Sequence, residues 1–135
     1  MPNLIAYLWV AAGGAIGSMG RFALASAVSR ALGERFPWGT ILVNVSGCFI
    51  IGVIAMAATP AGRLPTPLNV RDFLMIGVCG GYTTFSSFSL QTLSLMRAGD
   101  WAGAGGNMAI SVFACLAAVW LGALTGTVIG SVTAP

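Results

Sequence analysis

Between Thr83 and Ser94 the chain carries the run Thr83-Thr84-Phe85-Ser86-Ser87-Phe88-Ser89 followed by Gln91, Thr92 and Ser94, with no charged side chain among them. At helical spacing Thr84, Ser87, Gln91 and Ser94 share one face, a polar stripe of the kind that lines a pathway. Phe85 and Phe88, three residues apart, share a face as well. The electropositive edge of a phenyl ring can face an anion, and hydroxyl and amide groups can donate hydrogen bonds to it. Just upstream, Gly77, Gly80 and Gly81 weaken a helix, while Thr83 and Thr84 are residue types that cap a new one. The pattern predicts an interrupted helix, whose free carbonyls suit a cation and whose free amides favour an anion. The competing reading is that each Ser or Thr bonds its own helix carbonyls and that the Phe rings pack against lipid or core.

Further polar side chains stand inside apolar surroundings: Arg21, Thr40, Asn44, Ser46, Asn107 and Ser111. Asn44 offers two amide donors, which serve either a helix-to-helix hydrogen bond or a ligand, since an unpaired amide in lipid is costly. Arg21 either snorkels to the headgroups or raises the anion concentration in a vestibule.

These residues must be positioned by membrane-spanning helices. The sequence is 57% hydrophobic and 7% charged, with a mean hydropathy of +0.91, whereas a soluble domain carries about 25% charged residues. Residues 36–62, 73–96 and 101–135 contain no charge, nor do the first twenty. A helix needs about 20 residues to cross the hydrocarbon core. Four spans are expected, at about 4–29, 38–58, 73–96 and 101–132, in an all-α membrane protein of one domain covering residues 1–135. The connection from Thr59 to Pro67 is Pro-rich and cannot stay helical. Small residues recur four apart at Gly13 and Gly17, at Gly77 and Gly81, and at Gly122, Gly126 and Gly130, a spacing that lets helix backbones approach closely in lipid.

Several function classes are disfavoured. Ala25-Ser26-Ala27 looks like a signal-peptide cleavage site, but no side-chain charge precedes the first apolar run, so that segment is read as a helix. The net charge of +3 comes from six scattered Arg residues, which form no basic patch for nucleic acid. Gly13-Gly14-Ala15-Ile16-Gly17 lacks the spacing and the strand context of a dinucleotide fingerprint. Cys48, Cys79 and Cys115 lie far apart in separate apolar segments, and with no His in the chain they read as packing residues. Glu34, Asp72 and Asp100 fall near the ends of spans, leaving no buried carboxylate to carry a proton. Alternation of the spans sets Arg63 and Arg71 on one side and Arg30, Arg35 and Arg97 on the other, a balance that gives the positive-inside rule little to read. So little space lies within four short helices that an oligomer is expected.

Three motifs in order resemble the Fluc (CrcB) fluoride channels. They are Gly13-Gly14-Ala15-Ile16-Gly17 with Arg21, then Gly39-Thr40-Ile41-Leu42-Val43-Asn44 with Gly47, and then Gly80-Gly81-Tyr82-Thr83-Thr84-Phe85-Ser86-Ser87-Phe88-Ser89 with Gln91-Thr92. The fourth segment matches by hydropathy and small-residue pattern. The resemblance implies a multi-pass protein of the bacterial plasma (inner) membrane, assembled as an antiparallel, dual-topology homodimer with two fluoride pores and a structural sodium ion at its centre. It implies that main-chain carbonyls of Gly80 and Thr83 hold the sodium. Phe85 and Phe88 would be pore aromatics, Asn44 an amide donor and Arg21 a vestibule cation. Thr84, Ser87, Ser111 and Thr40 would be hydroxyls of the fluoride pathway, and Tyr82 stands where an aliphatic residue is expected. The implied activity is passive fluoride export, with no enzyme chemistry. The alternatives are a dual-topology small multidrug transporter, which would need an embedded carboxylate, and a non-conducting membrane assembly protein.

Overall fold

The computed structural model describes residues 4–57 and 67–132, and every regular element in them is helical. Arg63, Ala58 and the stretch from Thr59 to Thr66 of the Pro-rich connection lie outside the described residues. Helix α1 covers Leu4–Leu32 and α2 covers Trp38–Ala57. The third span starts with α3, Leu68–Arg71, which passes into a π-helical segment, Asp72–Cys79, then α4, Gly80–Tyr82, and after Thr83 and Thr84 continues as α5, Phe85–Arg97. Helix α6 covers Trp101–Val132. Four helical stretches, Leu4–Leu32, Trp38–Ala57, Leu68–Arg97 and Trp101–Ser131, are long and apolar enough to cross a membrane.

Glycine determines how the first and third spans meet. A Cβ at Gly77 would stand 2.9 Å from the Gly13 Cα, and one at Gly81 would stand 2.6 Å from the Gly14 carbonyl oxygen. Only backbones without side chains can approach in this way, which is how helices gain van der Waals contact where lipid removes the hydrophobic drive. Because the contacts advance together along both elements, these two spans run parallel.

Among the described elements the pairing of α2 with α6 is the most extensive. A Cβ at Gly122 would lie 3.2 Å from the Phe49 Cα, and one at Gly126 would lie 3.1 Å from the Val53 Cα. This pair also advances in one direction, so α2 and α6 are parallel. Against the third span α2 runs antiparallel, since Asn44 meets Thr84 and Ser46 meets Tyr82.

The interior is small and partly polar. Val43 and Asn107 are the largest fully buried side chains, and Thr40, Thr84, Thr92 and Ser111 are buried with them. Large apolar side chains such as Phe22, Phe113 and Leu116 face outward, the arrangement expected of a surface solvated by lipid rather than water.

Candidate functional site

Backbone shape around Thr83 and Thr84 organises the site. Gly80 and Gly81 are helical, and the residues with extended backbone are Thr83 (φ −75°, ψ 157°) and Thr84 (φ −151°, ψ 111°). Flexibility at the glycines therefore does not set the position of the interruption. Hydrogen bonds from side chains set it instead.

Asn44, on α2, pairs with the Thr84 peptide from both sides. Its Nδ2 donates to the Thr84 carbonyl at 3.1 Å, and the Thr84 N–H donates to its Oδ1 at 2.7 Å. Thr84 is also the N-cap of α5, where its Oγ1 accepts from the Ser87 N–H at 3.2 Å and donates to the Ser87 Oγ at 3.0 Å. Thr83 closes the preceding turn, with both its N–H (3.0 Å) and its Oγ1 (2.9 Å) donating to the Cys79 carbonyl. The Thr83, Thr84 and Ser87 N–H groups and the Thr84 carbonyl thus each have a specific partner, as buried helix ends require.

Two carbonyls lose their usual donors by this arrangement. In a continuous helix the Gly80 carbonyl accepts from the Thr84 N–H and the Thr83 carbonyl from the Ser87 N–H. Those donors are turned to Asn44 Oδ1 and Thr84 Oγ1 instead. Hard, uncharged oxygens freed in this way suit a hard cation.

Beside this junction lies a cavity of about 430 Å³ whose lining includes Asn44, Thr83, Thr84, Phe85, Phe88 and Ser111. The Phe85 and Phe88 rings lie 5.2 Å apart between centroids, tilted by 46°. Phe85 is 78% exposed. With one Asn44 amide proton committed to Thr84, the second is the amide donor left for a ligand.

A second cavity of about 420 Å³ contains Thr40, Gln91 and Ser94, with Glu34 and Arg35 from the connection between α1 and α2. The polar stripe of α5 runs between the two, Thr84 at one and Gln91 and Ser94 at the other, with Ser87 bonded to Thr84 between them. The Gln91 Oε1 is buried without a hydrogen-bond partner among the described residues.

Behind the stripe a buried network ties α5 to α6. Asn107, 1% exposed, donates to Thr92 Oγ1 at 2.8 Å; Thr92 donates to the Phe88 carbonyl at 2.8 Å; Ser111 donates to Asn107 Oδ1 at 3.3 Å. Asn107 was visible in the sequence only as one polar residue in an apolar segment. Its partners lie on another helix, so spacing along α6 did not reveal its role.

Of the residues singled out from sequence, Asn44, Thr83, Thr84, Phe85, Phe88 and Ser111 come together at the first cavity, and Ser87 supports Thr84. Thr40 belongs to the second cavity. Gly80 and Arg21 line neither of the two. Arg21 lies inside α1, half-buried, about three turns before the helix ends at Leu32. Ser89 and Ser94 follow the competing reading and donate to the Phe85 and Leu90 carbonyls of their own helix.

Four membrane-length helices and a largely apolar, aromatic-walled cavity with a few polar groups, at the α2, α5 and α6 contact, define a small polytopic membrane protein with a candidate site between its helices. Comparison with known proteins makes this particular. The family model described as CrcB-like protein, Camphor Resistance (CrcB), matches residues 8–123. The chain is 59% identical over 116 residues to the fluoride-specific ion channel FluC of Opitutus terrae, covering 86% of this chain and 88% of the relative. It is 53% identical over 116 residues to the protein of the same name from Rhodospirillum rubrum, covering 86% and 90%. With that of Paramagnetospirillum magneticum it shares 47% identity over 126 residues, covering 93% and 98%. The chain belongs to the CrcB family.

Proposed function

We propose that this chain is a fluoride-selective channel of the bacterial inner membrane that lets cytoplasmic fluoride leave passively. The relatives named above are fluoride-specific channels and align over most of the chain. The observation that supports the reading within this molecule is the first cavity, where two tilted Phe rings share the lining with Asn44, which has one amide proton uncommitted, and with Ser111. Fluoride sheds water there and takes hydrogen bonds from few donors while passing the electropositive ring edges. The polar stripe from Thr84 through Ser87 to Gln91 and Ser94 continues the path to the second cavity.

In this reading the interruption at Thr83 and Thr84 lies at membrane depth, and the carbonyls of Gly80 and Thr83 hold a structural sodium ion. The diversion of their helical donors supports this. Two chains assemble antiparallel. Exposed polar and aromatic groups of α5, among them Ser86 and Phe85, support a second copy as cover, because polar groups at membrane depth face protein or water rather than lipid. Arg21 acts as a vestibule cation.

The test is ion efflux from liposomes containing the purified chain. Fluoride leaves and chloride is retained if the reading holds. Equal passage of the two anions overturns selectivity, and retention of both overturns conduction.

A further inference from the structure

Cys48 and Cys115 read from sequence as unrelated packing residues, yet the structure places them side by side. The parallel packing of α2 and α6 is the reason. At Gly52 an added Cβ would meet the Val119 carbonyl oxygen and stand 3.0 Å from the Ala123 nitrogen, which fixes the register of the two helices. One turn earlier on each helix come Cys48 and Cys115, and a further turn earlier come Asn44 and Ser111. All four line the first cavity. Both cysteines are free and only partly buried, whereas Cys79 is buried elsewhere.

We propose that Cys48 and Cys115 form a two-thiolate site for a soft divalent cation of the mercuric type on the wall of the first cavity, and that its occupation blocks the anion path. The blocking half rests on the fluoride reading above; the binding half does not. Among the described residues no group of three or more His, Cys, Asp or Glu side chains is placed to share a metal. A four-coordinate ion such as zinc therefore lacks ligands here, and the two sulfurs suit an ion content with linear, two-coordinate thiolate ligation. Charge selects further. A divalent ion displacing two thiol protons gives a neutral complex, whereas a monovalent ion would leave a net negative charge in a low-dielectric setting. The step balances for mercuric chloride: two S–H and two Hg–Cl bonds break, two S–Hg bonds form, two protons and two chloride ions pass to water, and nothing is oxidised or reduced. Asn44 and the Phe rings share the cavity with the sulfurs, so a bound ion narrows the space an anion would use.

The probe is mercuric chloride, added at one equivalent to the full chain carrying Cys79→Ala, so that only the pair remains reactive. Intact-mass analysis should show one mercury gained and two hydrogens lost, with no alkylatable thiol left and the metal retained through a wash with free cysteine. With Cys48→Ala or Cys115→Ala added, the wash should strip the metal; Cys48→Ser and Cys115→Ser serve if an alanine variant fails to fold. Loss of one thiol per mercury, or equal retention by the single-cysteine variants, overturns the site. In liposomes mercury should abolish fluoride efflux through the Cys79→Ala chain and leave the rate of the chain lacking all three cysteines at its own starting value. A bridged adduct with undiminished efflux overturns the blocking half. Absence of efflux before any mercury is added counts against the fluoride reading, and the mass result still decides the site.

Discussion

Asn44 and Thr84 exchange two hydrogen bonds, one in each direction, across the contact between α2 and α5. A carboxamide is the side-chain group that can donate to a peptide carbonyl and accept from the same residue's N–H, so it satisfies an extended residue as a neighbouring strand would.

Asn44→Asp keeps an acceptor for the Thr84 N–H but loses the donor to its carbonyl and the amide proton left for a ligand. Fluoride efflux should fall by tenfold or more, equivalent to at least about 1.4 kcal/mol in the barrier. Asn44→Leu removes both partners and should also lower the unfolding temperature in detergent, because each unpaired buried backbone group costs about 1–3 kcal/mol. Full efflux from Asn44→Asp would show that the free amide proton is not used.

Thr84→Ala should weaken the start of α5 by about 1 kcal/mol, the usual cost of losing an N-cap. Thr84→Ser preserves the oxygen that accepts from the Ser87 N–H and should behave as the parent chain in thermal unfolding. Equal destabilisation by Ala and Ser would point to the Thr methyl group instead.

Phe85→Ile and Phe88→Ile keep an apolar surface while removing the electropositive ring edge. Each should slow efflux with the folded fraction unchanged by size-exclusion profile. Parent rates in both variants would leave the rings as packing groups.

Replacing Na⁺ on both sides of the liposome by a bulky organic cation should reduce efflux if carbonyls of Gly80 and Thr83 hold sodium, and Na⁺ should restore it. Indifference to the exchange would remove the cation from the account.

The α1 contact with the third span offers an internal control. A Cβ at Gly13 would stand 2.9 Å from the Gly77 Cα and 3.0 Å from the Val78 nitrogen, while one at Gly14 meets nothing within 4 Å. Gly13→Ala should destabilise by about 1–3 kcal/mol, the range for overpacking. Gly14→Ala should be close to neutral in the same unfolding assay.

The spans were legible because their signal is local: long charge-free runs require helices, whatever they pack against. The end of α1 was less so, since it runs to Leu32 and stops where Gly33 takes φ +82°, a turn that charge placement at Arg30 does not reveal. Around the third span the sequence drew attention to Gly80 and Gly81 as weak points. Gly81 serves backbone contact with α1 whereas Gly80 meets none of its atoms, and the extended residues follow them because Asn44, forty positions earlier, supplies the replacement bonds. The pairing of Cys48 with Cys115 was likewise illegible, since it depends on the register between α2 and α6. Residue types along one helix could be read; which side chains face one another across two helices could not.

The Thr84 peptide has a consequence for energetics. Its N–H is withdrawn from the Gly80 carbonyl and held by the amide group of Asn44, which lines the first cavity. In the proposed reading, a cation drawing on the Thr83 carbonyl, which shares a peptide group with that N–H, and an anion drawing on the remaining Asn44 amide proton act on opposite ends of one short hydrogen-bonded chain. Any coupling between the two is reciprocal: however much the cation strengthens the anion's hold, the anion strengthens the cation's by the same factor.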